Sequence, residues 1–197
     1  MKNVYCVVKE FENKISEFTG SKYAVAVDNC TNAIFLCCKY LNVSEVTIPK
    51  RTYVSVASTI IHSGGKIKFH DNDWDEKYFL KPYPIVDSAC CLKKNMYEKG
   101  TYTCISFSAN KPINIGKGGM ILTDNQDAYN WFKLARYCGR SEVPLYEEND
   151  IHVLGWNMYM TPEQAARGLN LLMHLGEGKV CKNKYPDLSK FSAFKNT

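Results

Sequence analysis

The sequence predicts an α/β protein, a three-layer α/β/α sandwich around a mostly parallel β-sheet. Short strand-like segments alternate with longer segments of helical periodicity over most of the chain. Alternation of this kind is typical of parallel sheets covered by helices. One segment, YAVAV at residues 23–27, is an uninterrupted apolar run, as expected of a strand that is buried on both faces.

The first elements follow from periodicity and from the residues that end each segment. Phe11, Ile15 and Phe18 recur at spacings of four and three, which predicts an amphipathic helix over residues 8–18. Gly20 ends this helix, and the pair Gly64–Gly65 ends a second helix predicted over residues 53–63. The other elements predicted in this half are strands at 23–27, 45–48 and 66–70 and a helix that runs from the turn at 28–32 to residue 41.

The second half begins with an acidic, aromatic segment, residues 71–83, which we expect to be a loop. Thr161, Pro162 and Gln164 together resemble a capping box at the start of a helix. After Gly176 the periodicity ends and the chain becomes basic and polar. The elements predicted in this half are strands at 84–86, 101–107 and 119–123 and helices at 126–137 and 162–175. We therefore expect one domain over residues 1–176 and a short tail or residual small domain over residues 177–197.

The composition is that of a globular protein. The net charge of +5 is spread along the chain, so a nucleic-acid-binding stripe is not expected. No apolar run approaches the ~18 residues that span a bilayer, and the N-terminus is charged within ten residues, unlike a secretory signal. The nine cysteines include adjacent pairs in apolar stretches, which favours a reducing cytoplasm over a disulfide framework. The four histidines are widely spaced, so no metal site is expected.

Three segments at predicted strand ends carry candidate binding or catalytic residues, because open α/β sheets bind ligands beyond the carboxyl ends of their strands. The turn at 28–32 begins a helix whose N–H groups, with the Thr31 hydroxyl, suit a phosphate, although an ordinary helix start explains it equally well. Asp87 follows a buried strand and needs a cationic partner, either a protonated pyridine nitrogen or a basic side chain. Lys111 lies before a glycine-rich turn, and a desolvated lysine forms Schiff bases with carbonyls, although most single lysines are surface residues.

Five segments resemble the DegT/DnrJ/EryC1/StrS family of pyridoxal 5′-phosphate-dependent sugar aminotransferases, and they occur in the family's order. They are TGSKYAVAVDNCTNAIFL, IPKRTYVSVAST, VDSAC, SFSANKPINIGKGGMILTD and LGWNMYMTPEQAARGL. Together they cover most of residues 8–175. The resemblance implies the large domain of the fold-type I, aspartate aminotransferase-like enzymes, with the small domain reduced.

The resemblance also implies roles for individual residues. Lys111 would hold the cofactor as a Schiff base and move the proton, and Asp87 would pair with the pyridinium nitrogen. Tyr53 would stack on the cofactor ring. The residues placed at the phosphate are Cys30, Thr31 and Ser106. Asn157 matches an asparagine that reaches the phosphate from the neighbouring subunit, so a homodimer with shared active sites is implied.

The chain also departs from the family pattern. Cys30 stands where the family usually has glycine, Cys90 where it has glutamine or histidine, and Lys117 where glutamate is common. Only residues 71–83 separate the third strand from the strand that precedes Asp87. Family members carry further strand–helix units between these two strands. Little of the chain follows the last helix. The sequence thus indicates a compact variant whose cleft is more open or is completed by a partner chain.

The predicted function is amino transfer from an amino-acid donor, with glutamate as the expected donor, to a keto group of a nucleotide-linked sugar. Arg51 and Arg140 are candidates to bind the donor carboxylate or a substrate diphosphate. One alternative keeps pyridoxal 5′-phosphate but is a decarboxylase, racemase or lyase that acts on a small amino compound. The other is a non-catalytic relative that binds a ligand or a partner.

Overall fold

A computed structural model describes residues 4–182 and 184–195 of the chain. The helices are α1 (Cys6–Thr19), α2 (Cys30–Tyr40), α3 (Val54–His62), α4 (Gln126–Ala135) and α5 (Pro162–Leu172). The strands are β1 (Tyr23–Val27), β2 (Glu45–Pro49), β3 (Lys66–His70), β4 (Tyr78–Leu80), β5 (Ile85–Asp87), β6 (Cys91–Lys93), β7 (Tyr102–Ser106), β8 (Gly119–Thr123) and β9 (Gly178–Val180). Short 3₁₀ turns lie at Leu145–Glu147, Leu188–Lys190 and Ser192–Phe194.

The central sheet has the strand order β1-β8-β7-β5-β4. The parallel pair β2 and β3 continues it, because Thr47 and Lys81 exchange backbone hydrogen bonds of 2.8 and 3.1 Å beyond the end of β4. The pairings give β1, β2, β3, β5 and β7 one common direction, and β4 and β8 the opposite one. The predicted α/β class is therefore confirmed, with a sheet that is mixed at β4 and β8.

Apolar cores lie on both faces of the sheet, which makes the fold a three-layer sandwich. Along β1, Val25 and Val27 face a core that includes residues of α2, α3 and α4. Ala24 and Ala26 face a second core that includes residues of α1 and α5. This alternation follows from the two-residue repeat of a strand. Both faces are thus apolar, as the run YAVAV predicts.

The predicted helix boundaries depend on local signals that the structure reproduces. Helix α1 ends at Gly20, whose φ of 79° is in the left-handed region that favours glycine. At the start of α5, Thr161 and Gln164 form the predicted capping box, with side-chain-to-backbone distances of 3.4 and 2.9 Å. Asn29 caps α2 in the same manner, because its side chain accepts a hydrogen bond from the Asn32 backbone.

Strand β4 lies within the segment that the sequence predicts to be a loop. Only residues 81–84 connect β4 to β5. A parallel connection needs a crossover of about a dozen residues or more, so this short link places β4 antiparallel to β5. The segment 71–83 therefore contributes a strand to the sheet and is not entirely a loop.

The described part of the C-terminal segment packs against the rest of the chain. Strand β9 pairs with β6, and the Leu188 backbone donates a 2.8 Å hydrogen bond to the carbonyl of Lys50. Leu188 and Phe194 are buried in the core beside α2 and α3. Strands β6 and β9 have three residues each, too few for a periodicity to predict them.

Across residues 4–182 and 184–195, none of the helices is both long and apolar enough to cross a bilayer. The same residues contain no group of three or more histidine, cysteine or acidic side chains that could hold a metal ion.

Candidate active site

A cleft of about 350 Å³ opens where α2 and α3 begin and where β5 and β7 end. Strands β5 and β7 run parallel, so their carboxyl ends reach the same edge of the sheet. Six of the predicted site residues line this one cleft: Cys30, Thr31, Tyr53, Asp87, Ser106 and Lys111. The fold thus brings together residues that are as much as 81 positions apart in the sequence.

Asp87 forms a buried, anionic part of the cleft. It is only 5% exposed, and its two carboxylate oxygens accept hydrogen bonds from the Tyr78 hydroxyl at 2.7 Å and the Ala89 backbone N–H at 2.9 Å. Burial raises the pKa of Asp87, while these two donors and the charge of Lys111 oppose the rise. A cation placed against this carboxylate would favour its ionised form.

Lys111 lies in a loop whose two ends are held together. The Phe107 backbone donates to the carbonyl of Gly118 at 2.9 Å, and the Ile115 backbone donates to the carbonyl of Phe107 at 3.1 Å. This loop directs the Lys111 side chain into the cleft, where Nζ lies 3.5 Å from Sγ of Cys90. Lys111 is thus half-buried, on a loop whose ends are fixed to each other.

Hydrogen-bond donors gather at the end of the cleft where α2 begins. The Thr31 and Ser55 hydroxyls are 2.7 Å apart, and Ser106 and Ser108 are linked at 3.3 Å. The first N–H groups of α2 have no partners within the helix, and its dipole is positive at this end. These groups together suit an anion such as a phosphate.

Glycine at position 119 allows the backbone of β8 to approach this helix start. A Cβ at Gly119 would lie 2.4 Å from the carbonyl carbon of Asn29 and 2.6 Å from the Cys30 nitrogen, closer than real Cβ contacts. Gly119, the last glycine of the glycine-rich segment after Lys111, thus lets β8 lie close to the N-terminus of α2.

Aromatic side chains form the remaining wall. Tyr53 is 57% exposed and meets the Tyr185 ring edge-on at 6.4 Å. Trp74 stacks on Tyr185 with ring centroids 5.9 Å apart and an interplanar angle of 22°. Trp74 and Tyr185 were not among the predicted site residues, because they lie in the presumed loop and in the aperiodic C-terminal segment.

The cleft fits pyridoxal 5′-phosphate by the chemistry of its side chains. The N-terminus of α2 and the hydroxyls around it suit the phosphate. The buried carboxylate of Asp87 suits a cationic ring nitrogen, and the amine of Lys111 suits the aldehyde. Tyr53 supplies an aromatic face at the mouth of the cleft.

Three predicted residues lie outside this cleft within one chain. Arg51 lines an adjacent cavity of about 400 Å³, where its guanidinium pairs with Asp71 at 2.8 Å and Asp73 at 3.3 Å. Arg140 donates to the Val143 carbonyl and the Tyr137 hydroxyl. Asn157 is exposed and forms a backbone bridge with Tyr137. The roles assigned to these three residues remain predictions.

Sequence reasoning missed the polar residues that support the cleft. Tyr78 binds Asp87, and Thr52 lies 2.6 Å from the Tyr78 hydroxyl. Ser55 and Ser108 contact the predicted Thr31 and Ser106. Ser55 and Ser108 each lie two positions after a predicted residue, Tyr53 and Ser106, which is a signal that could have identified them. No local pattern distinguishes Tyr78.

Comparison with known proteins identifies one family. The model of the DegT/DnrJ/EryC1/StrS aminotransferase family matches residues 2–86 and 89–186. The spore coat polysaccharide biosynthesis protein SpsC of Bacillus subtilis is 26% identical, over 86% of this chain and 57% of its own length. GDP-perosamine synthase of Caulobacter vibrioides is 24% identical, over 90% of this chain and 59% of its own length. The chain therefore spans a little more than half the length of these curated relatives.

Solved structures show the same fold. An aminotransferase of this family from Brucella abortus superposes with a TM-score of 0.79 at 17% identity, covering 97% of this chain and 79% of its own. A putative sugar aminotransferase from Streptococcus pneumoniae, in its PMP form, gives a TM-score of 0.70 at 19% identity, covering 86% of this chain and 59% of its own. The alignment with the Bacillus subtilis relative spans 223 positions, more than the 197 residues of the chain. The relative thus carries additional residues within the matched region.

Proposed function

The chain belongs to the DegT/DnrJ/EryC1/StrS aminotransferase family, and we propose that it is a pyridoxal 5′-phosphate-dependent aminotransferase. The proposed acceptor is a keto group of a nucleotide-linked sugar. One observation carries the proposal: Lys111 and Asp87 line the same cleft, close enough that the charge of Lys111 opposes the rise that burial causes in the pKa of Asp87. Names of relatives such as GDP-perosamine synthase support the sugar class.

When bound, pyridoxal 5′-phosphate supplies a reactive carbonyl and an electron-withdrawing ring. The amine of Lys111 would hold the cofactor through that carbonyl and, once displaced by an incoming amine, would carry the proton that amino transfer moves. Asp87 would pair with the protonated ring nitrogen and keep the ring electron-poor. Thr31, with the N-terminus of α2, would bind the phosphate. Tyr53 would cover one face of the ring and limit its contact with water.

We further propose that glutamate is the amino donor and that two copies of the chain share their active sites. The position of Asn157 supports the dimer, because this exposed side chain lies outside the cleft of its own chain. Arg51, in the cavity next to the cleft, is the proposed partner for a carboxylate or diphosphate, and Arg140 is a second candidate. All nine cysteines are free thiols, which supports a cytoplasmic location.

Cofactor attachment is tested by absorbance and by reduction with borohydride. Wild-type protein with added pyridoxal 5′-phosphate should turn yellow, and borohydride should fix the cofactor on the peptide that carries Lys111. Lys117→Ala is the matched control, since Lys117 also lines the cleft and pairs with Asp28 at 3.2 Å. The cofactor proposal fails if Lys111→Ala and Lys117→Ala behave alike.

Amino transfer is tested by a half-reaction. Holoenzyme mixed with glutamate should form 2-oxoglutarate in an amount equal to the enzyme sites, without any acceptor. Release of carbon dioxide, or racemisation of the amino acid, would support the alternative reaction types. Binding of the cofactor without any of these reactions would support a non-catalytic relative.

The shared site is tested by mixing two inactive variants. Lys111→Ala and Asn157→Ala subunits should each have low activity alone. In a mixed dimer, one of the two sites would contain both wild-type residues, so mixing should restore part of the activity. If mixing restores none, although exchange of subunits is demonstrated, Asn157 does not act across the interface.

A further inference from the structure

Two cysteines meet at the edge of the candidate active site. Strands β6 and β9 pair antiparallel, with Cys91 opposite Val180. The ladder continues by one position, because the Cys181 backbone donates a 2.8 Å hydrogen bond to the carbonyl of Cys90. Cys90 and Cys181 are thus direct cross-strand neighbours. Such neighbours have Cα atoms about 4.5–5.5 Å apart, within the range that a disulfide bridges.

The two thiols also interact through their side chains. The Cys90 thiol raises the pKa of Cys181, in addition to the rise caused by burial, whereas Lys111 lowers it. Cys90 is 1% exposed, and its Sγ lies 3.5 Å from Nζ of Lys111.

A small oxidant can reach this pair. Cys90 and Cys181 both line the second cavity, of about 400 Å³, and Cys181 is partly exposed. Cys91 is not equivalent, because successive side chains of a strand point to opposite faces. Its Sγ contacts Glu76 at 3.7 Å instead.

We propose that Cys90 and Cys181 form a redox pair that a hydroperoxide converts into a disulfide beside Lys111. The sulfur of Cys181 attacks the outer peroxide oxygen and the O–O bond breaks. The departing oxygen takes the thiol proton and leaves as an alcohol or water, so that Cys181 becomes a sulfenic acid. The Cys90 thiol then attacks this sulfur, the S–O bond breaks, and water leaves. The two electrons lost by the pair reduce the hydroperoxide, and a dithiol reverses the change.

The disulfide would alter the wall of the cleft. Reduced Cys90 contacts both Lys111 and the Tyr185 hydroxyl, the latter at 3.7 Å. Oxidation turns its sulfur toward Cys181 and removes the thiol from the side of Lys111. It also joins the segment after β9 covalently to the turn that follows Asp87. The proposal concerns the thiols alone and does not depend on the proposed aminotransferase activity.

Peptide mapping of the full-length protein tests the proposal, with hydrogen peroxide as the oxidant. Treated protein is alkylated under denaturing conditions and digested with trypsin, which cleaves after Lys77, Lys93, Lys179 and Lys182 but not before Pro82. The expected product links residues 78–93 to residues 180–182, lacks two hydrogens and disappears with dithiothreitol. Because the first peptide contains both Cys90 and Cys91, Cys91→Ser should keep the linkage and Cys90→Ser should lose it.

Cys91→Ser decides the point even if a variant at Cys90 fails to fold, because its peptide 78–93 contains Cys90 as its one cysteine. Cys181→Ser supplies a second variant, at a partly exposed position, and should also lose the linkage. Absence of the linked peptides from the oxidised wild type would overturn the proposal. So would a linkage that persists in Cys90→Ser, or a product in which Cys90 is joined to Lys111 through an added oxygen.

Discussion

The hydroxyl of Tyr78 donates a hydrogen bond of 2.7 Å to Oδ2 of Asp87. Tyr78 begins β4, in the short segment before Asp87, and its hydroxyl also lies 2.6 Å from the Thr52 hydroxyl. Burial and the Asp87 charge raise the pKa of Tyr78 well above its ordinary value, so the phenol keeps its proton and remains a donor. The short segment 71–83 thus supplies the hydroxyl that orients the Asp87 carboxylate.

Tyr78→Phe should destabilise the cofactor-free protein, because it removes a donor from a buried carboxylate. Hydrogen bonds to charged groups contribute about 1.5–3 kcal/mol, and the free energy of unfolding in urea should fall by about this amount. A double-mutant cycle with Asp87→Asn should assign most of that loss to the pair. Tyr146→Phe is the control, since Tyr146 is 87% exposed, and it should change stability by no more than about 0.5 kcal/mol. Equal losses in the two variants would contradict the role of Tyr78.

Asp87→Asn should change how the stability of the cofactor-free protein depends on pH. Burial raises the pKa of Asp87 in the folded state, so above the unfolded value of about 3.9 the folded state retains its proton more readily than the unfolded chain. The stability that Asp87 contributes is full below that value and is lost as the pH rises through the folded pKa. Asparagine cannot titrate. The stability of wild type minus that of Asp87→Asn should therefore decrease as the pH rises above about 4, and an increase would contradict the raised pKa.

The sequence predicts those parts of the fold that depend on local signals. Helix α1 follows from the spacing of Phe11 and Ile15 and from Gly20, and α5 follows from its capping box. Strands β4, β6 and β9 escape prediction because three residues show no periodicity. Strand β5 is equally short and is predicted only as an apolar run before Asp87. Their existence depends on pairing with segments that are distant in the chain, as in the pairing of Cys91 with Val180.

The same distinction between local signals and long-range contacts applies to the residues of the candidate site. Asp87, Lys111 and Thr31 are predictable because each follows a strand at the edge where α/β sheets bind ligands. Tyr78 and Tyr185 are not, because they reach the cleft only through tertiary packing of a short loop and of the C-terminal segment. Asn157 is exposed and lies outside the cleft of its own chain. Its position in the sequence does not by itself show this.

Thr31→Val should weaken the binding of pyridoxal 5′-phosphate while leaving the fold intact. The substitution keeps the side-chain shape and removes the hydroxyl that lies 2.7 Å from Ser55. Loss of one hydrogen bond to a charged phosphate should raise the dissociation constant about tenfold, or about 1.4 kcal/mol. Absorbance titration with the cofactor measures the change. Ser58→Ala, on α3 but outside the residues that line the cleft, should bind as wild type does. An unchanged constant for Thr31→Val would argue against a phosphate at this end.

Glu12→Gln should cause a larger loss of stability than the variants above. Glu12 is 3% exposed and pairs with Arg136, which is 1% exposed. Between them they satisfy both backbone groups of Ala26 on β1, since Glu12 accepts its N–H at 2.8 Å and Arg136 donates to its carbonyl.

Neutralising Glu12 leaves the buried Arg136 charge with Glu142 as its remaining acidic partner, at 3.0 Å. Loss of one partner from a buried pair costs up to about 3–5 kcal/mol. Glu17→Gln is the matched control, because Glu17 pairs with Lys14 at 2.8 Å on the surface, with both side chains more than half exposed, and exposed pairs contribute about 0–1 kcal/mol. Urea unfolding should separate the two variants clearly. Similar losses would show that the Glu12–Arg136 pair does not stabilise β1.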